Sequence, residues 1–223
     1  MSNRQDYVLS ADVGRAGSAS APRITLISPV RGRVPGGPGK RVFDILCSAA
    51  LIVGLAPVLV AVALAVRLTS LGPVLFWSDR VGRGGTVFSM PKFRTMTVET
   101  PLVPREAAVK GVCTLTPVGG FLRRSSLDEL PQLFCVLAGK MSLIGPRPLL
   151  AADPAMARRM DRPVALGAKP GITGLAQVRG RNLVGPGRKS RLDAFYAANW
   201  SWALEGRIIR DTIIYVLTGK GVV

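Results

Sequence analysis

The sequence predicts a mixed α/β, mostly helical, membrane-associated domain with one N-terminal re-entrant membrane helix and C-terminal interfacial amphipathic helices. Three observations predict it. Ile45 to Val66 is a run of 22 residues without a charge, with Pro57 near its middle. Two strand-like runs flank a glycine-rich turn at residues 82–85. The C-terminal part alternates apolar stripes with charge and carries Trp200, Trp202 and Tyr215.

Residues 1–39 are rich in Gly, Pro, Ser, Ala and Arg, lack periodicity, and read as a disordered basic tail. Residues 40–70 follow as the membrane segment. Its charge-free run is long enough to cross a bilayer core as a helix. It begins too late, and runs too long, for a cleavable signal peptide. Pro57, with Gly54 just before it, should break or kink that helix. Lys40 and Arg41 precede the segment and Arg67 follows it, so flanking charge assigns no orientation. A helix that turns near Pro57 and leaves by the face it entered accommodates both facts; a proline-kinked spanning helix is the alternative.

Residues 71–223 read as a globular domain. Val74–Trp77 is an apolar strand, Gly82–Gly85 a turn, and a second strand runs on to Met96. Residues 100–118 are mixed and turn-rich. Leu130, Leu133, Phe134 and Leu137 fall at i, i+3, i+4 and i+7, predicting one apolar helix face that Gly139 terminates. "GPRPLL" and "KPGITGLAQVRGR" read as loops pinned by proline and glycine, and "VGPGRKS" (184–190) as a further loop. The C-terminal aromatics suit either a membrane interface or an ordinary core.

Composition narrows the chemistry. Lys and Arg total 30 against 13 Asp and Glu, for a net charge of +17, and there is no histidine. The charge favours anionic partners such as nucleic acid, anionic lipid or a phosphorylated substrate, although a GC-rich genome would also raise arginine content. The absence of histidine excludes Ser-His-Asp and Cys-His catalysis, His-ligated zinc and imidazole proton transfer. Cys47, Cys113 and Cys135 form no CxxC pair and read as small buried hydrophobes.

Against this basic background, "RRSSLDELPQLF" (123–134) sets Asp128 beside Glu129. One reading is structural: Ser126-x-x-Glu129 as a capping box, with acids in a first helical turn. The other is chemical. At an irregular helix start, two neighbouring carboxylates divide one task, one acting on a substrate and the other holding a divalent cation that bridges phosphates. Stiffly mounted cations surround them in sequence. Arg147 lies between two prolines, Lys92 and Arg94 flank Phe93 on one strand face, and Arg123 precedes the acid-bearing turn. Each alone reads as a surface cation. Together they suggest a diphosphate at a membrane surface.

"KRVFD", "KFRTM", "RRSSLDELPQLF", "MSLIGPRPLL" and "PGITGLAQVRGRN" resemble, in order and spacing, the bacterial sugar transferase family, the monotopic polyprenyl-phosphate phosphoglycosyl transferases. The resemblance covers about residues 40–220 and looks like the small form of the family, its catalytic unit alone. It implies a Mg²⁺-dependent enzyme that moves a sugar 1-phosphate from a UDP-sugar donor to a polyprenyl (undecaprenyl) phosphate acceptor, releasing UMP. The implied nucleophile is Asp128, through a covalent aspartyl-phosphosugar, with Glu129 as the Mg²⁺ ligand. Lys92, Arg94, Arg123, Arg147, Arg179 and Arg181 are the implied phosphate or substrate contacts. Asp193 and Tyr196 match the family's "LD…Y" motif.

The resemblance also implies a re-entrant helix broken at Pro57, both ends on the cytoplasmic face of the bacterial inner membrane, contact with membrane lipids, and a role in starting a surface glycan. Departures from the family pattern include Lys140 where an acid is usual, Leu175 for Trp, Ala56 for Ser, Gly120 for a basic residue, and the missing histidine. Two other classes stay open on the residues themselves. A membrane-tethered binder of anionic lipid or nucleic acid would explain the charge but not the acid pair, and a glycosyltransferase would release UDP.

Overall fold

The computed structural model describes residues 35–97, 114–179 and 185–218. Most of the basic tail, Cys113, Arg181 and residues 100–113 of the turn-rich stretch therefore lie outside the described residues.

Two helices open the chain, α1 (Gly37–Gly54) and α2 (Ala56–Thr69), bent by 62° at Leu55. Pro57 causes the bend from the first turn of α2. It has no N–H for the Val53 carbonyl, and its ring would clash with that carbonyl in a continuous helix. No single helix among the described residues is long and apolar enough to cross a membrane, whereas this bent pair passes on length and composition together.

Burial on α1 is inverted relative to a soluble helix. Lys40, Asp44 and Ser48, at i, i+4 and i+8, are buried, while Val42, Leu46, Leu51 and Val53 are exposed. Helix α2 buries only Val62 and Val66 and exposes Val60, Leu64 and Leu68. The helix therefore starts at Gly37, and its first turns dock on the globular domain. Lys40 pairs with Glu205 at 2.7 Å, and Arg41 donates to the Val136 and Leu137 carbonyls at 2.6 and 2.7 Å. The two cations expected to precede the membrane segment are thus tied into the domain, whereas Arg67 at its other end is exposed.

The hairpin forms where alternation placed it: β1 (Leu75–Val81) pairs antiparallel with β2 (Val87–Phe93). A 3₁₀ turn at Arg83–Gly85 joins them, with Gly84 and Gly85 at positive φ. Register sets Ser78 opposite Met90, Arg80 opposite Phe88, and Phe76 opposite Lys92, so these six side chains share one face.

Helix α3 (Gly119–Ser125) leads through a 3₁₀ turn at Leu127–Glu129 into α4 (Gln132–Leu137). Gly139, at φ 79°, stops α4 as expected. The apolar face differs from expectation. Gln132, Leu133, Cys135 and Val136 are buried and Phe134 is 53 % exposed, because a six-residue helix wedged between α1 and β2 has no single solvent side. Phe88, Met90, Cys135, Val136 and Met141 form the core beneath it.

Of the two motifs expected to be loops, "GPRPLL" stays without a helix or strand, while part of "KPGITGLAQVRGR" forms a short strand. β3 (Ser142–Ile144) runs parallel to β4 (Gly171–Thr173). Their close approach requires glycine. A Cβ on Gly145 would come within 2.2 Å of the Lys169 carbonyl oxygen, and one on Gly171 within 2.0 Å of the Gly145 nitrogen. Short helices α5 (Pro154–Met160), α6 (Pro163–Leu166) and α7 (Leu175–Val178) pack nearby, followed by α8 (Pro186–Ala198) and α9 (Trp202–Thr218). The "VGPGRKS" loop is shorter than expected, since α8 begins at Pro186 within it. Helix α9 buries Glu205, Ile208 and Asp211 and exposes Trp202, Ile213, Val216 and Leu217.

Candidate active site

The acids sit at a forced corner. Ser126, between α3 and the 3₁₀ turn, holds φ 60°, the one positive φ outside glycine among the described residues. That left-handed residue ends α3 and swings Asp128 and Glu129 toward the hairpin. No capping box forms. Ser126 makes no side-chain capping bond, and the Glu129 carboxylate points away from it.

Glu129 Oε1 accepts from Lys92 Nζ at 2.7 Å and from Arg147 Nη2 at 3.1 Å. Lys92 reaches it from β2, and Arg147 from the rigid Pro146-Arg147-Pro148 segment after β3. Burial alone would raise the Glu129 carboxyl, but Arg147 and Lys92, by charge and by hydrogen bond, hold it well below the usual carboxylate range. Burial lowers the Lys92 ammonium against the pull of Glu129, and Glu129 raises the Arg147 guanidinium. Glu129 is a fixed anion.

Asp128 differs. It is 9 % exposed and makes no ion pair or hydrogen bond among the described residues. Burial raises its carboxyl, with Glu129 adding to the rise and Lys92, Arg123 and Arg147 opposing it through charge. Two adjacent carboxylates thus have separate conditions, one neutralised and pinned, the other desolvated and unbound. A desolvated carboxylate without partners is suited to attack an electrophile, provided nearby cations keep it ionised.

A third cation lines the cleft. Arg80, on the same hairpin face as Lys92, lines it with Glu129, Gln132 and Arg147. The sequence reading passed over Arg80, although period two from Ser78 and the register with β2 carry the signal. A larger cleft against α1, around Lys40, Asp44 and Tyr196, contains neither acid.

Residues 37–219 match the family model of the bacterial sugar transferases. The chain belongs to the bacterial sugar transferase family. A sugar transferase of Bacillus subtilis, EpsL, is 38 % identical over 192 residues, covering 82 % of this chain and 89 % of its own length. The UDP-glucose:undecaprenyl-phosphate glucose-1-phosphate transferase of Caulobacter vibrioides is 39 % identical over 82 % of this chain and 74 % of its length. The undecaprenyl-phosphate galactose phosphotransferase of Salmonella typhimurium is 37 % identical over 82 % of this chain, which matches 41 % of that longer protein.

Other expected contacts of this sugar transferase lie elsewhere. Arg94 does not join Lys92 at the acid pair. Its guanidinium is buried and donates to the Leu71 and Ser70 carbonyls at 2.5 and 2.9 Å, tying the end of α2 to the hairpin. Arg179 caps α7 and is exposed. Tyr196 is buried, donating to Glu205 and, at 3.0 Å, to the Ile144 carbonyl; burial and Glu205 raise its hydroxyl far above the usual range. It belongs to the network that docks α1, together with Lys40 and Trp200, whose indole N–H donates to Glu205 at 2.9 Å.

Asp193 is also buried, paired with Arg159 at 2.5 Å. Arg159 then donates its other terminal nitrogen to the Arg147 carbonyl at 2.8 Å. Asp193 thus touches the site through Arg159 and acts on the backbone that carries Arg147. Nothing in the sequence around Arg159 signals that link.

The two acids also bear on a metal. Lys92 and Arg147 both bind Oε1 of Glu129, leaving Oε2 outside those pairs, with the Asp128 carboxylate adjacent. No group of three or more His, Cys, Asp or Glu side chains suited to a metal occurs among the described residues. Such a donor set fits Mg²⁺, which is held by one or two carboxylates plus substrate phosphates and water.

Proposed function

We propose that this protein transfers a sugar 1-phosphate from a UDP-sugar to undecaprenyl phosphate at the cytoplasmic face of the bacterial inner membrane, releasing UMP and starting a surface glycan. The observation that carries this reading is the contrast within the acid pair: Glu129 locked by Lys92 and Arg147, Asp128 desolvated and unpaired. The names of the relatives in Caulobacter and Salmonella support the donor and acceptor classes.

In this mechanism an Asp128 carboxylate oxygen attacks the sugar-bearing phosphorus. The bond from that phosphorus to the bridging oxygen breaks, and UMP departs with the electron pair. An oxygen of the polyprenyl phosphate then attacks the same phosphorus, regenerating the Asp128 carboxylate and forming the lipid diphosphate. Lys92, Arg123 and Arg147 supply fixed positive charge where charge develops on phosphate oxygens. Glu129 would hold Mg²⁺, which would supply charge neutralisation to the donor diphosphate when bound. No histidine is required, since the charges of Lys92, Arg123 and Arg147 favour the ionised Asp128 carboxylate against its burial.

The bent helix pair supports membrane attachment. With Lys40, Asp44 and Ser48 turned to the domain and valines and leucines outward, the exposed face of α1 and α2 suits lipid. A re-entrant path through Pro57 keeps acceptor phosphate and acid pair on one side, and the apolar exposed residues of α9 extend that surface.

Product analysis tests the reaction. Purified protein given a labelled UDP-sugar without acceptor should release UMP at no more than one per enzyme and retain the sugar phosphate covalently. Adding undecaprenyl phosphate should make UMP release catalytic. Release of UDP would overturn the reading.

A further inference from the structure

We propose that Arg80 and Gln132 form a phosphate subsite beside the acid pair, taking the phosphate that leaves with the nucleotide. This rests on the reaction proposed above and adds the residues that would hold its leaving group.

Arg80 is a cation without a counter-ion. Among the described residues no carboxylate lies within ion-pair distance of it, and its hydrogen bond is from Nε to Ser78 Oγ at 3.1 Å. Glu129, which lines the same cleft, is already shared by Lys92 and Arg147. Burial, and then the charge of Arg147, push the Arg80 guanidinium down to about 10, against Asp153 and Glu129. A cation so placed is stabilised by an anion arriving in the cleft.

Gln132 gives the second, independent observation. It is 2 % exposed, on the first turn of α4, and its Nε2 has no hydrogen-bond partner among the described residues. A buried amide donor left unpaired is costly and points to a missing acceptor. It lines the same cleft as Arg80, Lys92 and Arg147, so the acceptor it lacks would sit among three cations. A phosphate oxygen meets both needs.

Position separates this subsite from the attacked phosphorus. Arg80 and Gln132 line the cleft together with Glu129, and Asp128 is not among the residues lining it. A diphosphate attacked by Asp128 would extend past Glu129 to reach them. There a guanidinium would meet the negative charge that grows on the departing phosphate.

The phosphate could belong to the nucleotide or to the lipid acceptor, and binding separates the two. UMP, uridine and a short-chain polyprenyl phosphate would be titrated calorimetrically into detergent-solubilised full chain, parent and variants, after confirming single-turnover UMP release by the parent. Arg80→Met should raise the UMP dissociation constant about tenfold to a hundredfold, the range for a charge-assisted contact, and Gln132→Met about three- to tenfold. Uridine and polyprenyl phosphate affinities should stay at the parental level. Arg80→Lys, which keeps the charge but loses the planar fork, should fall between parent and Arg80→Met, and serves if Arg80→Met melts early.

Parental UMP affinity in the Arg80 and Gln132 variants would overturn the subsite. So would a loss confined to the polyprenyl phosphate, which would assign it to the acceptor, or an equal loss for uridine, which would make it no phosphate site. A parent that releases no UMP defeats the reaction itself, a separate outcome seen before any variant is made.

Discussion

Asp193→Asn separates a folding role from a positioning role in this protein. The Arg159–Asp193 pair is 5 % and 3 % exposed in its side chains, and the Asp193 carboxyl is raised by burial in spite of Arg159. Such a pair adds little net stability, yet breaking it strands a buried charge at a cost of about 3–5 kcal/mol. For a chain of this size that corresponds to a fall of roughly 6–20 °C in the melting midpoint. Because the folded carboxyl is raised, the native state holds the extra proton. The Asp193 contribution therefore falls as pH rises from the ordinary aspartate value through the folded one, and is level above it.

The double variant Arg159→Met, Asp193→Leu removes both charges and should recover most of the lost midpoint. It should not recover activity. Arg147 keeps its side chain but loses the bond from Arg159 to its carbonyl, and an ångström of misplacement at such a group costs on the order of a hundredfold in rate. Scanning fluorimetry in detergent would follow the midpoint, and UMP release with and without acceptor would follow the rate. A stable double variant turning over at the parental rate would refute the positioning of Arg147 through Arg159.

Three other outcomes are expected. Asp128→Asn should abolish both turnover and covalent labelling by a UDP-sugar, since an amide is no nucleophile; a labelled adduct in that variant would remove Asp128 from the mechanism. Activity should vanish in excess chelator and return with Mg²⁺, and Glu129→Gln should raise the Mg²⁺ requirement or end turnover, so full activity in chelator would sink the metal assignment. With native cysteines replaced and one reporter cysteine in the N-terminal tail, intact cells should leave that cysteine unlabelled by an impermeant thiol reagent. Pro57→Leu should restore a continuous apolar helix and move some tails outside, whereas labelling of the Pro57 protein would show that the segment spans.

What the sequence disclosed and what it concealed follow from the range of the interactions. The hairpin was legible because alternation and a glycine turn act within 20 residues, and the helix break because proline acts on its own carbonyl neighbours. The β3–β4 pair was not, since each strand has three residues and exists only through a partner almost 30 positions away. Arg94 was grouped with Lys92 by period two, but its guanidinium goes to the Leu71 and Ser70 carbonyls at the end of α2, contacts that no local pattern signals. Lys40, Asp44 and Ser48 stood at helical spacing in plain view, but only the presence of Glu205 and the Leu143 N–H, far along the chain, makes that polar stripe an inner face.

The acid pair was legible as a pair, while the difference between its members was not. That difference is created by three segments converging on Glu129 from β2, the Pro-Arg-Pro corner and the Ser126 turn. Each is stiff for a local reason: a paired strand, two fixed φ angles, one left-handed residue. Glu129 is neutralised because two cations meet on one of its oxygens, and Asp128 is left unpaired because none reaches it. A chain with so large an excess of basic residues can thus keep a reactive carboxylate, since its cations are held by backbone geometry at a neighbouring acid and not drawn onto the nucleophile.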